Sequence, residues 1–456
     1  MSDALARVAP MTDSAQLATH LDAIWPSVMD DYLGLLRIES ISSLPEKADE
    51  MTRSAETVAG LLRGVGCPDV QVVAEGGQPA VIGRFPAPEG HPTICLYAHH
   101  DVQPTGDLSL WSTPPFEPTE RDGRLYARGA NDDTAGIAVH LAALRAWEGK
   151  PPVGVTVFIE GEEEVGSPSL AAIMAKHADA LRSDVFVICD ATNWQVGQPS
   201  VTTALRGICD CVVEVRTLDH ALHSGGFGGV VPDALTSLCR LLATLHDDLG
   251  NVAVEGLKTG QVPDLDYDEA RLRADTGILN GVQWLGEGST VSKIWAKPAV
   301  SVIAIDATSV ASASNTLAPV ARAKVSLRVA PGDDADEALA ALTRHLESHA
   351  PWGAQVNVTA GETGQPCVVP YRGALAEAAD AAFTQAFGVA PVQVGCGGSI
   401  PMLADFQAAF PGSEILVTAV ADPDGRPHGI DESQDLGDLK KAALAEALLL
   451  AHLANS

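Results

Sequence analysis

Thr93-Ile94-Cys95-Leu96-Tyr97 runs straight into Ala98-His99-His100-Asp101, and on this stretch the reading of the fold turns. A short, uninterrupted apolar run of this kind reads as a strand buried on both faces, as in a mainly parallel sheet covered by helices. Here the run stops on an imidazole and a carboxylate. The same grammar recurs three times. Val153–Ile159 runs into Glu160-Gly161-Glu162-Glu163-Glu164, Asp184–Cys189 runs into Asp190, and Glu414–Val420 leads within eight residues to His428. A helical stretch, Thr134–Glu148, lies between the first two strands. Open α/β sheets gather ligands at the carboxyl ends of their strands. Four unlinked strands that deliver ligand-type residues there predict one site.

Between residues 208 and 360 the pattern changes. Strand Cys211–Thr217, helix Asp233–Leu249, strands Val300–Ile305 and Ala321–Val329, helix Ala335–His349 and strand Gln355–Thr359 follow in order. This βαββαβ sequence is the ferredoxin-like plan, interrupted by an insertion at Asn251–Lys297 with no clear periodicity. Arg372–Phe387 then reads as a helix, and Glu414–Val420 returns to the first pattern. The fold class expected is α/β, with a mainly parallel-sheet domain at 1–207 and 366–456 interrupted by a ferredoxin-like α+β domain at 208–365. A chain of 456 residues exceeds one ordinary core, in keeping with two domains.

Composition narrows the function. Hydrophobic residues at 46% and charged residues at 19% are globular values. A net charge of −30 argues against nucleic acid as a partner, because phosphate binding needs Lys and Arg in excess. No stretch approaches the roughly eighteen uninterrupted apolar residues of a membrane span, so no membrane partner is expected. The N-terminal residues lack a basic start followed by an apolar run, so the expected location is the cytoplasm. None of the eight cysteines forms a CxxC pair, and they read as reduced core thiols.

The strand ends carry the chemistry. Residues two apart after a strand point the same way, so Asp101 is expected to reach the His99 ring, as carboxylates commonly orient a metal-bound imidazole. Asp132 and Asp133 precede the Thr134 helix, and one of them can cap it while the other faces a cation; the spacing leaves open which. Three adjacent carboxylates, Glu162 to Glu164, repel one another unless a cation compensates. Carboxylate and imidazole donors suit Zn²⁺ or Mn²⁺, and bridging carboxylates suit a pair of ions. A free carboxylate beside such a pair would take a proton from water and return it to a leaving amine.

Together these boxes resemble the metallopeptidase M20 family. Tyr97 to Pro104 is similar to the first ligand box, and Trp111 to Pro118 to the W-x-x-x-P-F-x-P segment. Arg128 to Asp133 resembles the bridging-aspartate box and Glu160 to Ser167 the glutamate pair. Asp190, Arg206-Gly207, the HSGGFGG run from His223, Gly397 to Pro401 and His428 to Glu432 follow in order. Within the family, the glycine-rich run and the Glu-rich box look most like the carnosinase-like dipeptidases.

The resemblance implies an enzyme, a metal-dependent hydrolase of dipeptides or similar short peptides, with two divalent ions, Zn²⁺ first and Mn²⁺ or Co²⁺ as alternatives. His99 and Asp190 would bind one ion, Glu164 and His428 the other, with Asp132 bridging. Asp101 would orient His99, and Glu163 would be the general base. The inserted domain would be a lid and dimerisation domain. In it His223, Asn315 and Arg328 would meet substrate together with Gly398 and Ser399, and His223 would serve the partner subunit of a homodimer. Departures occur at Thr134, where relatives have Lys, and at Gly395-Cys396, which replace an Arg-Glu pair. Asp431 replaces Asn, and Ala221 replaces Asp. They bear on substrate choice and spare the ligands. An N-acyl amino acid deacylase on the same scaffold is the rival activity, and a non-catalytic binding protein is the rival of another class, which an intact Glu163 disfavours.

Overall fold

The computed structural model describes residues 14–398 and 401–455. They fall into two compact units. The first comprises 14–203, 369–393 and 405–455; the second comprises 204–368 with the described part of 394–404.

The first unit is built on a mixed sheet. From one edge its strands run Asp69–Val73, Ala80–Phe85, Gly154–Glu160, Thr93–His99, Val185–Ile188, Glu414–Thr418 and Ser200–Leu205. The four from Gly154–Glu160 to Glu414–Thr418 are mutually parallel, and the flanking pairs are antiparallel. The parallel strands are those with uninterrupted apolar runs. Gly154–Glu160 is buried at every position and Thr93–His99 at all but the first, because helices cover the sheet. The helix Thr134–Ala146 is buried along its whole length except Arg145, and it lies against Ser14–Leu35 and Leu436–Leu453. Tyr97, Phe158, Phe186 and Phe406 pack ring against ring beneath the strand ends, with centroids 4.8–6.3 Å apart.

The second unit is a four-stranded antiparallel sheet in the order Ala299–Asp306, Val320–Val329, Gly207–Arg216, Gln355–Gly364. Helices Ala234–Ala243 and Ala335–Ser348 pack on it through the cluster of Cys211, Val213, Leu238, Val325 and Leu342. The outer strand Ala299–Asp306 leaves Val302, Ile303 and Ile305 exposed at 45%, 57% and 44%.

Three local readings differ from the sequence expectation. The first helix of this unit ends at Ala243, six residues short of Leu249. There the Thr244 hydroxyl donates back to the Leu241 carbonyl, and the Asp247 carboxylate accepts the N–H groups of Leu249 and Asn251, turning the chain. The insertion contains a helix, Glu269–Thr276, and one π-helical turn, Ser292–Ala296. The described part of 394–404 groups with the second unit, where the Arg206 N–H donates to the Cys396 carbonyl and a side chain at Gly395 would strike Trp295.

No disulfide joins the cysteines. Six of the eight are buried, Cys396 is half-buried, and Cys239 is exposed on helix Ala234–Ala243. Among the described residues no helix is long and apolar enough to cross a membrane.

Candidate active site

At the carboxyl ends of the parallel strands two imidazoles and three carboxylates converge. His99, the last residue of its strand, is fully buried, and its Nε2 lies 3.0 Å from Asp132 Oδ1 and 4.0 Å from Asp190 Oδ2. The Nε2 of His428 lies 2.9 Å from Asp132 Oδ2 and 3.1 Å from Glu164 Oε2. The two oxygens of Asp132 therefore face different imidazoles. This gives two ligand-type groups, His99–Asp132–Asp190 and Asp132–Glu164–His428, each with its donor atoms within 4.8 Å of one another.

Neighbouring residues explain why these side chains are held so. Asp133 caps the helix that follows, accepting the Gly136 N–H at 3.2 Å, and also accepts the His99 N–H at 3.2 Å. Capping thus falls to Asp133, and Asp132 faces the imidazoles. The Asp132–Asp133 peptide is cis. Asp101 meets the His99 ring chiefly through its backbone, with Nδ1 3.0 Å from the carbonyl oxygen and 3.4 Å from Oδ1. Its carboxylate is engaged elsewhere, accepting the N–H groups of Glu163 and Glu164 at 3.2 and 3.1 Å. Asp101 therefore spans His99 and the Glu-rich turn.

The three adjacent glutamates separate. Glu162 turns away and accepts the N–H groups of Gln78 and Ser169 at 2.8 and 3.2 Å. Glu164 accepts from Gln103 Nε2 at 2.9 Å and faces His428. The carboxyl of Glu163 makes neither contact. Burial, together with the carboxylates of Asp132, Glu164 and Asp101 and against the pull of His99, pushes it up to about 7. His100 turns from the site, its Nε2 2.7 Å from the Pro79 carbonyl.

The electrostatics show a deficit of positive charge. Burial works to raise Asp132, yet His428 and His99 outweigh it and hold its carboxyl well below the usual range. Asp190, by contrast, is pushed well up by burial and by Asp133. The hydrogen bonds to Asp132 and Glu164 carry His428 up to about 10. Clustered acids that can ionise only at mutual cost, beside imidazoles that hold protons to compensate, form a donor set that divalent cations fit.

In the second unit His223 closes the short strand Leu222–His223, which pairs with Thr316–Leu317. Its Nδ1 accepts the Gly225 N–H at 3.1 Å, and the Ser224 N–H donates to the Asn315 carbonyl at 2.9 Å, so His223 and Asn315 share one turn. Arg328 is half-buried on Val320–Val329, opposite Ile208 and Ala299. It makes no ion pair among the described residues. Gly398 lies beside the Cys396 sulfur; Ser399 lies outside the described residues.

Gln103, Arg128 and Glu432 received no individual role from the sequence, although all three sit in the quoted boxes. His140, inside the helix Thr134–Ala146, has a carboxylate companion from the C-terminal helix: its Nδ1 lies 2.9 and 2.8 Å from the two Glu446 oxygens.

Such a centre on a parallel-sheet unit defines a two-ion class of hydrolase. Residues 95–452 match the family described as Peptidase family M20/M25/M40, and the chain belongs to that family. It is similar to the cysteinylglycine-S-conjugate dipeptidase of Corynebacterium striatum, 35% identical over 415 residues that cover 90% of this chain and 91% of the relative. It is also similar to the β-Ala-His dipeptidase of Rattus norvegicus, 28% identical over 421 residues covering 85% and 84%. The solved structure of the dipeptidase Dug1p from Saccharomyces cerevisiae has the same fold, with a TM-score of 0.78 at 23% identity over 97% of this chain and 99% of that one.

Proposed function

We propose that this metal-dependent peptide hydrolase cuts dipeptides with two divalent ions held by His99, Asp132, Asp190, Glu164 and His428, and with Glu163 as general base. The observation that carries the reading is Asp132, whose two oxygens lie 3.0 and 2.9 Å from two different imidazoles. Zn²⁺ is the first choice, with Mn²⁺ and Co²⁺ as alternatives. Bound there, the ions would polarise the scissile carbonyl and acidify a water. Glu163, brought to about 7, is matched to accept a proton near neutral pH and return it to the leaving amine. Asp101 holds His99 and the Glu163 turn in one register, so base and ligands move together.

Arg328 would grip a substrate carboxylate with its planar fork, and the absence of an ion-pair partner among the described residues supports this. His223 would stabilise the oxyanion of the partner subunit, with Asn315, Gly398 and Ser399 lining the substrate. A homodimer through the inserted unit would cover the exposed strand Ala299–Asp306, an edge with unpaired backbone groups. A cytoplasmic location suits the absence of disulfides.

Assays on Cys-Gly, a Cys-Gly S-conjugate, β-Ala-His and a wider dipeptide panel, beside N-acetyl and N-succinyl amino acids, test the reading. Dipeptides should give the highest kcat/KM, with activity lost to a chelator and restored by Zn²⁺, Mn²⁺ or Co²⁺. Turnover confined to the acyl amino acids would replace it with the deacylase activity.

A further inference from the structure

The buried ion pair of Arg128 and Glu432 touches both the loop that ends on Asp132 and the segment that carries His428. The side chains are 2% and 0% exposed, with Nη1 2.5 Å from Glu432 Oε2. The same Oε2 accepts the Gly129 N–H at 3.0 Å, and Oε1 accepts the N–H groups of Asn131 and Asp132 at 2.9 and 3.1 Å. One carboxylate thus takes four donors, three of them from the loop that ends on Asp132. The second guanidinium nitrogen of Arg128 donates to the carbonyls of Pro104, His428 and Gly429 at 3.2, 3.3 and 3.2 Å. Its plane lies over the Trp111 ring, 5.4 Å from the centroid.

The His428 segment needs such support. Arg426, His428 and Asp431 all hold positive φ, at 54°, 60° and 57°. Residues other than glycine hold this region at a cost in strain, and do so where their surroundings impose it. Asp431 is tied down by the Ser112 N–H and hydroxyl at 2.8 and 2.6 Å, and His428 by its carbonyl on Arg128. Stability alone does not account for the pair, because a buried ion pair replaced by apolar residues of equal volume is often neutral or better. What an apolar substitute cannot supply is direction. Four oriented donors fix how Asp132 presents its oxygens, and one fork fixes where His428 stands.

We infer that Arg128 and Glu432 are positioning residues for the two-ion centre, Glu432 setting the bridging carboxylate Asp132 and Arg128 setting His428. The inference rests on the two-ion reading above. Calorimetric titration of the metal-free full chain with Zn²⁺, using a competing chelator, reads both sites in wild type, Glu432→Gln and Arg128→Lys. Wild type should bind two ions. In Glu432→Gln both should weaken by about tenfold or more, because Asp132 serves both groups, in line with the usual worth of residues that orient metal ligands. In Arg128→Lys only one ion should weaken so, because Arg128 holds His428 and leaves His99 and Asp190 alone. Circular dichroism and melting of the metal-free variants report the fold independently. A folded Glu432→Gln or Arg128→Lys protein that keeps wild-type affinity at both sites overturns the inference and leaves the two-ion reading standing. A wild type that binds no ion overturns both. If neither variant folds, the pair serves the fold alone and the inference falls.

Discussion

His428 Nε2 lies 2.9 Å from Asp132 Oδ2, although one residue stands before the helix Thr134–Ala146 and the other beyond the last parallel strand. The contact exists only when the chain has returned to the sheet after its long excursion, so the ligand group is a product of folding. Ion binding at this group would therefore be coupled to folding of the first unit.

Divalent ions should accordingly raise the melting temperature of the metal-free protein in a concentration-dependent way. At free ion about 100 times the Kd, the gain is about 2.7 kcal/mol per site. His428→Ala should lose one ion and the matching part of this gain. Scanning calorimetry over a Zn²⁺ titration measures both, and a melting point indifferent to Zn²⁺, Mn²⁺ and Co²⁺ would contradict the coupling.

Glu163 and Glu164 are adjacent, yet their amide variants should separate cleanly. Glu163→Gln keeps the shape and removes the proton acceptor, so kcat should fall by about 10²-fold or more with both ions retained. Glu164→Gln should lose ion content as well, since Glu164 faces His428 at 3.1 Å. Elemental analysis beside steady-state kinetics distinguishes them. Near-normal turnover in Glu163→Gln would assign the base to another group.

The buried His140–Glu446 pair predicts a pH-dependent part of the stability. Burial opposes the charged ring, but the Glu446 carboxylate outweighs burial and raises the His140 pKa above 6.5. A raised folded-state value means that the pair's contribution is complete below the unfolded pKa and fades as pH rises through the folded one. Glu446→Gln should therefore cost about 3 kcal/mol near pH 6, with the gap to wild type narrowing as the solution becomes alkaline. Denaturant melts across that range provide the check. A gap that widens with pH would reverse the assignment of the charged partner.

If His223 serves the partner's site, two inactive variants should restore one another. Glu163→Gln and His223→Ala, mixed under conditions that exchange subunits, give a heterodimer with one doubly defective site and one intact site. Recovery approaching half of wild-type activity per heterodimer is expected, measured after exchange has been proven by mass. Exchange without recovery would confine His223 to its own chain.

The parallel strands were legible because burial on both faces demands continuous apolar runs, and Thr93–Tyr97 needed only two more residues to reach the observed end at His99. The order of the second unit was equally legible from its alternating strands. Spacing alone could not tell Asp132 from Asp133, since a helix cap and a ligand call for the same residue type; only the family resemblance pointed to Asp132. The helix from Ala234 was overrun because Leu245 and Leu249 continue the apolar period while Thr244 and Asp247 divert the backbone through their side chains. Glu446 beside His140 and Glu432 beside Arg128 had no local signature at all. Each pair joins the helix Thr134–Ala146, or the loop just before it, to the C-terminal segment, and only packing brings them together.

Cys239 gives the second unit a chemical reporter that needs no engineering. Six of its seven fellow thiols are buried, and burial raises the remaining one, Cys396, away from the reactive thiolate. A maleimide dye should therefore react first on the outer surface of helix Ala234–Ala243. The rate of that labelling, followed as protein concentration is raised, reads directly whether this helix face is open to solvent or covered by another molecule.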